Sequence, residues 1–350
     1  MVTLTIRNGR AQPSEPPLDC GNSCWQMSSQ RAADLYDAGV LLWRKEDLMD
    51  IERQLAQSCT TEMFTVRRID GSIVNIENPM FGVQKPIWKP SIKFQEYWNL
   101  VYSRPLVMFT AYNCTCLIDW TNQVAHNDER PIENFRSLFE TSRQQWNASA
   151  DCEALKSQFR KLLGGDGNAK KVTKIICFGL GDMDSEPSST QTSKTIKAKH
   201  AFRYHAIALT IAGIARSCTN TGDMGVRLLT QGPMYSDGTK DVLREIGFEV
   251  VGEHGAGGFA ELDDESIVIS PSPTAPVKQI IADLARPVAI ICTKKTNKVF
   301  HNYGALLPDP ESPRTWQMWK DYDSWEFPVF EDSVLPCSFY EMEINARMRE

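Results

Sequence analysis

Two acidic residues near the end of the chain, Asp323 and Glu326, have the spacing best suited to chemistry. They lie in Tyr322-Asp-Ser-Trp-Glu326, a segment whose pattern predicts the end of a helix, and residues three apart on a helix share a face. Two neighbouring carboxylates can hold a guanidinium through paired hydrogen bonds, or divide acid and base roles when their pKa values differ. The alternative from spacing alone is an exposed acidic helix end before Pro328.

A Gly-x-Gly turn follows the apolar run 172–178, which is typical of a strand buried on both faces. Such a turn brings backbone N–H groups close to a ligand at the carboxyl edge of an open sheet. The candidate substrate-binding residues of this edge are Gly179, Gly181, Asp182, Ser185 and Tyr235. Only two glycines of the dinucleotide fingerprint are present, and the acidic residues that follow would repel a pyrophosphate. The alternative is a turn that binds nothing.

The loop Gly255-Ala-Gly-Gly258 follows a later strand and is expected to lie close to a ligand or to pack on its neighbours. Basic residues concentrate around the first strand and the helix after it: Lys170, Lys171, Lys174, Lys194, Lys197, Lys199 and Arg203. The net charge of −6 argues against a protein that coats nucleic acid non-specifically, but a local patch of this kind can meet phosphates. The alternative is a solvated helix end.

Several classes of protein lack their motifs here. The chain has no Gly-x-Ser-x-Gly elbow, no His-Glu-x-x-His pair and no phosphate-loop lysine. The close cysteine pairs, Cys20 with Cys24 and Cys114 with Cys116, have no second pair to complete a zinc site. We therefore expect no metal and no cofactor. The N-terminus lacks a signal-peptide core and no apolar run is long enough to span a bilayer, so we expect a cytoplasmic protein without a membrane partner.

An α/β fold is predicted to position these loops: a Rossmann-like, mostly parallel sheet of about five strands with crossover helices. The predicted strands are 172–178, 226–230, 247–251, 266–270 and 287–292. The predicted helices between them are 195–217, 237–246 and 274–285. A helical hairpin and a β-hairpin centred on Asp70-Gly71 precede the sheet.

The composition divides the chain into four parts. These are a flexible arm (1–26), an N-terminal helical and β-hairpin region packing on the core (27–163), the α/β core (170–328) and a C-terminal tail (329–350). The glycine-rich segment 164–168 marks the boundary before the core, and the pattern leaves residues 79–125 unassigned.

Several segments, taken in order, resemble the sensitivity-to-red-light-reduced family. They are FGLGDMDS, RYHAIALTIAGIA, QGPMYSDGTKDVLREIGFEVV, SIVISPSP and PVKQIIADLARPVAIIC. The family pattern of a Gly-Leu-Gly turn, a loop with Pro, an aromatic residue and Asp, and an Asp-Asp strand entry falls at 179–181, 233–237 and 263–266. The resemblance covers roughly 30–58 and 170–328, and the ending from Leu307 to Pro328 is similar to the fungal branch.

The fungal branch includes arginine-containing cyclodipeptide synthases of secondary metabolism, which join arginine to a second amino acid. The resemblance therefore implies arginyl-tRNA and a second aminoacyl-tRNA as partners, with no cofactor because the ester is already activated. An Asp-x-x-Glu motif is implicated in catalysis in that branch, and here it falls on Asp323 and Glu326. The lysine-rich patch would meet the acceptor-stem phosphates.

One position departs from the related bacterial enzymes, which carry a nucleophilic serine at the end of the first strand. Here that position is Gly181, and Ser185 is the nearest hydroxyl. A covalent aminoacyl-enzyme and direct transfer between two tRNAs both stay open. The rival hypothesis is a non-catalytic regulatory or small-ligand-binding protein of the same family. A third, a nucleotide-dependent oxidoreductase or methyltransferase, rests on fold analogy alone. The second amino acid and the oligomeric state are not predicted.

Overall fold

The fold is described from a computed structural model that covers residues 4–7, 10–13, 24–101, 114–126, 134–164, 170–184, 191–218, 225–299, 307–330 and 337–348. Its strands are β1 (Leu4–Arg7), β2 (Arg10–Pro13), β3 (Met63–Arg67), β4 (Ile73–Glu77), β5 (Trp88–Phe94), β6 (Cys116–Asn122), β7 (Lys174–Phe178), β8 (Arg227–Gln231), β9 (Glu249–Val251), β10 (Ser266–Ser270), β11 (Ala289–Thr293), β12 (Tyr322–Glu326) and β13 (Met342–Arg347). Its helices are α1 (Cys24–Asp37), α2 (Lys45–Ala56), α3 (Tyr97–Val101), α4 (Gln123–His126), α5 (Phe135–Asn147), α6 (Ala150–Gly164), α7 (Gln191–Cys218), α8 (Asp237–Glu245), α9 (Gly257–Ala260), α10 (Val277–Leu284) and α11 (Pro313–Met318). Short 3-10 turns lie at Trp319–Asp321 and Cys337–Glu341.

A seven-stranded sheet of order β12-β13-β11-β10-β7-β8-β9 organises the molecule. Strands β7 to β11 are parallel and match the five predicted strands within two residues at each end. The prediction of about five strands omits two: β13 pairs antiparallel with β11, and β12 pairs antiparallel with β13. Strand β13 lies in the segment predicted to be a tail, and β12 lies in the segment predicted to be a helix end.

Strand β7 shows why the apolar run forms a central strand. Its residues Ile175 to Phe178 are buried on both faces, as expected for a parallel sheet covered by helices on each side. Ile175 and Cys177 join a core with α5, α6 and α7, whereas Ile176 and Phe178 join a second core on the opposite face. The middle of α7 is buried as its all-round apolar sequence predicts.

The direction of the chain across the sheet reverses beside β7. From β7 the chain moves outward to β8 and β9, then returns to place β10 and β11 on the other side of β7. The carboxyl ends of β7 and β10 therefore lead into loops that diverge. In open α/β sheets this position forms a crevice that binds ligands.

The N-terminal part covers the second face of the sheet. Helix α1 ends before Gly39, α2 follows, and β3 and β4 pair across Asp70-Gly71, all as predicted. Strands β5 and β6 form a further hairpin within the unassigned region. Strands β1 and β2 form a hairpin in the segment predicted to be a flexible arm. None of the described helices is both long and apolar enough to cross a membrane.

Candidate functional site

A cavity of about 290 Å³ opens at the reversal of strand order, between the carboxyl ends of β7, β8 and β10 and the hairpin β5–β6. Its lining residues belong to six segments of the sequence: Ser91, Ile92, Lys93 and Phe94; Asp119; Phe178 and Gly179; Gln231 and Pro233; Gly255 and Phe259; and Pro273, Thr274, Ala275 and Val277. The hairpin closes the crevice from the side opposite the sheet.

The glycine turn after β7 forms one side of this cavity. Gly179 has φ +66°, and a Cβ at this position would overlap the backbone of Ser272, which follows β10. Gly181 has φ +83°, and its Cβ would lie 3.3 Å from Cβ of Ala201 on α7. Both positions therefore require glycine, as predicted, but for chain packing. Of the two, only Gly179 lines the cavity.

One part of the cavity wall is aromatic. The rings of Phe178 and Phe259 stack with centroids 4.3 Å apart, and Phe94 meets Phe259 edge-on at 5.2 Å. Val277 and Pro233 are further apolar lining residues, whereas Ser91, Gln231 and Thr274 are polar ones. Rings that contact one another hold each other's rotamers, so the wall has a defined shape.

Two charged side chains stand at the mouth of the cavity. Lys93 and Asp119 are exposed residues of β5 and β6, and Asp119 pairs in register with Ser91. The Asp119 carboxylate accepts a hydrogen bond from N–H of Trp120 at 2.9 Å. Within the described ranges, neither Lys93 nor Asp119 has an ion-pair partner, so both charges face solvent and any ligand at the mouth.

The glycine-rich loop before α9 has its hydrogen-bond donors occupied by the chain itself. The Glu52 carboxylate on α2 accepts from N–H of His254 (2.8 Å), Ala256 (2.8 Å) and Gly257 (3.1 Å). Gln231 accepts from N–H of Gly258 at 2.6 Å. Clustered backbone N–H groups of this kind bind anions in many proteins, and here a carboxylate of the chain fills that place. The loop touches the cavity through Gly255 but offers it no free cradle for a phosphate.

Asp182 and Tyr235, predicted to contact substrate, have internal partners instead. Asp182 accepts from N–H and O–H of Ser236, the residue that caps α8, at 3.0 and 3.2 Å. Tyr235 is buried, and its hydroxyl lies 2.8 Å from the Thr230 hydroxyl; burial raises the pKa of Tyr235. Neither side chain lines the cavity, because both brace the loops behind it. Ser185 lies outside the described residues.

The prediction that Asp323 and Glu326 form a close pair on a helix is wrong. Both lie on β12, which pairs with β13, and side chains three apart on a strand point to opposite faces. Asp323 lines a groove of about 740 Å³ between this strand and α6, together with Trp325. Glu326 accepts from Nζ of Lys294 at 2.9 Å, which lowers the pKa of its carboxyl. The catalytic roles of the two residues stay predictions, now for separate carboxylates.

The predicted basic patch does not form one face among the described side chains. Lys170 donates to the carbonyl of Arg347, Lys171 pairs with Glu265, and Lys174 pairs with Glu261 and Asp263, all near the amino end of β7. Arg203 is buried and donates to the carbonyl of Ser142 and to Gln145. Lys194, Lys197 and Lys199 belong to α7, and their side chains are not described.

A buried charged cluster at the start of α10 escaped the sequence analysis. Lys278 and Glu311 form an ion pair at 2.7 Å with side chains 1% and 2% exposed. Asp309 accepts from N–H of Lys278 at 3.0 Å, and Trp319 donates to Glu311 at 2.9 Å. Burial raises the pKa of Asp309 to about 7, and that of nearby Glu96 likewise to about 7. The cluster fastens the loop before α11 to α10, and no spacing rule connects these residues in the sequence.

Titratable groups do not converge on a metal-like arrangement: in the parts of the chain that the structure describes, no three His, Cys, Asp or Glu side chains are placed to share an ion. Comparison with known proteins adds no relative, since no family model, no curated protein and no solved structure matches the chain. Function is therefore inferred from the cavity and its surroundings.

Proposed function

We propose that the chain is an aminoacyl-tRNA-dependent cyclodipeptide synthase that forms an arginine-containing diketopiperazine. In this proposal a Rossmann-like core holds the reacting aminoacyl group in the crevice between β7 and β10. The observation that carries it is a small cavity at the strand-order reversal, with three phenylalanines in its wall and a carboxylate and an ammonium at its mouth.

The size and polarity of the cavity support an amino-acid-sized ligand. Its 290 Å³ lies just below the range of about 300–1,000 Å³ that is typical of small-molecule sites. The backbone N–H groups of the glycine-rich loop before α9 are held by Glu52 and Gln231. That loop therefore offers no free N–H donors to a pyrophosphate.

The reaction balances without ATP, because each aminoacyl ester is already activated. The amine nitrogen of one aminoacyl group attacks the ester carbonyl carbon of the other, a C–N bond forms, and the C–O bond to the tRNA ribose breaks. The amine proton ends on the departing ribose oxygen. The second amine then attacks the remaining ester in the same way, which closes the ring and releases the second tRNA. The protein must orient two groups and relay protons.

Asp119 is the carboxylate that lines this cavity among the described residues, and we assign it to hold the α-amine. Asp323 and Glu326, implied by the family resemblance, lie on β12 at the far edge of the sheet, on opposite faces. Each would have to act alone. Direct transfer is favoured over a covalent intermediate at the glycine turn, since Gly181 has no hydroxyl.

The test is mass spectrometry of the medium from a bacterial host that expresses the full chain. A new arginine diketopiperazine, lowered by about 100-fold or more in Asp119→Asn and unchanged in the exposed control Glu46→Gln, is the expected result. Well-folded wild-type protein that gives no such product would contradict the proposal.

The second candidate is a non-catalytic protein that binds a small ligand in the same cavity. The separation of Asp323 from Glu326 favours it, because a paired catalytic motif is not assembled. A ligand that co-purifies with the protein and is lost in Thr274→Phe, a change at the exposed cavity mouth, would support this candidate if no cyclic dipeptide is formed.

A further inference from the structure

We propose that the hairpin β5–β6 is the specificity element of this site: Asp119 and Lys93 hold the amine and phosphate ends of an aminoacyl-adenosine terminus, and the wall beneath them selects an apolar or aromatic side chain. The inference rests on the proposed function and deepens it. It assigns the cavity to the second amino acid and places arginine elsewhere.

The aromatic part of the cavity wall favours a ligand with an apolar or aromatic side chain. Phe259 contacts both Phe94 and Phe178, and Lys93 and Asp119 at the mouth are the charged groups among the described lining residues. An apolar or aromatic side chain that packs against these rings is removed from water, which favours its binding. A guanidinium would have to leave its hydration without a carboxylate at that depth, which is costly.

The two charged residues at the cavity mouth, Asp119 and Lys93, match the amine and phosphate groups of the ligand. Asp119 lies opposite Ser91 in the register of the hairpin, and Lys93 is two residues further along β5, so their Cα atoms are diagonal neighbours, roughly 7–8 Å apart. One negative and one positive group at that separation match a ligand that carries an ammonium and a phosphate on either side of an ester. Lys93 also repels a second cation, which again disfavours an arginyl group here.

The cavity is held in shape from both sides, so its selectivity does not depend on closure. Glu52 fixes the loop that carries Gly255, and N–H of Ile92 on the hairpin donates to the carbonyl of His254 in that loop at 2.8 Å. The hairpin and the sheet edge are thereby joined through hydrogen bonds. A preformed pocket loses little entropy when its ligand binds.

Calorimetric titration of the full chain with amino-acid methyl esters tests the inference. Phenylalanine methyl ester should bind about tenfold or more tightly than arginine methyl ester, and its N-acetyl derivative, which cannot be protonated, should bind about tenfold more weakly. Asp119→Asn should weaken the phenylalanine ester to a similar extent, and Thr274→Phe should abolish its binding. Glu46→Gln and Lys85→Gln, exposed residues that do not line the cavity, are the matched controls.

Lys93→Gln tests the phosphate contact separately from the amino-acid contact. It should weaken the binding of phenylalanyl-tRNA and reduce its salt dependence, and it should change the affinity of the methyl ester far less, because that probe has no phosphate. Tighter binding of arginine methyl ester, or no binding of any ester to folded protein, would overturn the inference.

Failure of the inference and failure of the proposed function give different results. If an arginine diketopiperazine forms and Thr274→Phe leaves the identity and yield of its second amino acid unchanged, the function stands and the assignment of the cavity is wrong. If the esters bind with the expected preference but no diketopiperazine forms, the cavity assignment stands and the reaction is wrong.

Discussion

At the scale of single residues, the glycine turn shows that a conformational requirement and a ligand contact are different things. Gly179 is needed because a side chain there would overlap the backbone at Ser272, and Gly181 because it packs on α7. The absence of a side chain at Gly179 lets the ends of β7 and β10 approach each other and leaves space at one edge of the cavity. The turn therefore shapes the site through the space that its glycines leave.

Gly179→Ala should lower the free energy of unfolding by about 2 kcal/mol or more, because it adds a backbone overlap to the cost of a left-handed conformation. Gly164→Ala is the matched control, since α6 ends there and a Cβ added at this position would have no atom within 4 Å. The control should be neutral or slightly stabilising. Thermal unfolding of both variants measures the difference, and equal melting temperatures would contradict the packing account.

Asp323 and Glu326 should act independently, because β12 turns them to opposite faces of the sheet. The effects of Asp323→Asn and Glu326→Gln on product yield should multiply in the double variant, as for sites without shared partners. Product yields from the two single variants and the double variant test this. A double variant no worse than either single one would show that the carboxylates act as a unit.

At the scale of elements, the loop before α11 and helices α3 and α10 meet around buried charges. Lys278 faces Asp309 and Glu311, while Glu96 caps α3 through N–H of Trp98 and Asn99. Burial favours the neutral form of Glu96 more strongly than these hydrogen bonds favour the charged form, so its pKa rises from 4.5 to about 7. The contribution of this packing to the stability of the fold therefore depends on pH.

The direction of this pH dependence follows from the number of protons that the folded and unfolded states bind. Between pH 4.5 and about 7 the folded protein holds a proton on Glu96 that the unfolded chain releases, so the free energy of unfolding falls as pH rises through that window. Glu96→Gln should remove roughly 1–3 kcal/mol of this pH dependence. Melting temperatures between pH 5 and 8 measure it, with the exposed Glu62→Gln as control. A variant with the wild-type slope would exclude Glu96 as the source.

At the scale of the whole molecule, the N-terminal part is an integral wall of the site. Glu52 on α2 reaches the loop between β9 and α9, and the hairpin β5–β6 covers the crevice that the sheet leaves open. The carboxylate occupies the position that a bound anion takes in other glycine-rich loops. The chain thus supplies its own anion from a part about 200 residues earlier in the sequence.

Glu52→Ala should vacate this position and leave three N–H donors without their partner, which destabilises the protein by roughly 1–3 kcal/mol. Inorganic phosphate should then raise the melting temperature of the variant more than that of the wild type, because binding to the folded state stabilises it. Glu253→Ala, a nearby exposed carboxylate change, is the control. Equal phosphate responses in all three proteins would contradict the anion-site account.

Local patterns in the sequence determined much of the scaffold. The apolar runs of β7 to β11 predict buried parallel strands, because burial on both faces removes polar alternation, and Asp70-Gly71 predicts its hairpin from turn chemistry alone. The need for glycine at position 179 is likewise visible in the sequence. These features depend on residues close together in the chain.

Only the tertiary structure decided which side chains share the site. Pairing with β13 makes the segment that contains Asp323 and Glu326 an edge strand. The Glu52 carboxylate accepts hydrogen bonds from a loop whose N–H groups the sequence alone presents as free. The cavity forms because the hairpin that carries Asp119 and Lys93 folds over the end of β7. The sequence pattern assigns no structure to that region. The physical reason is that periodicity reports whether a residue is buried, whereas strand pairing and long-range hydrogen bonds decide against what it is buried.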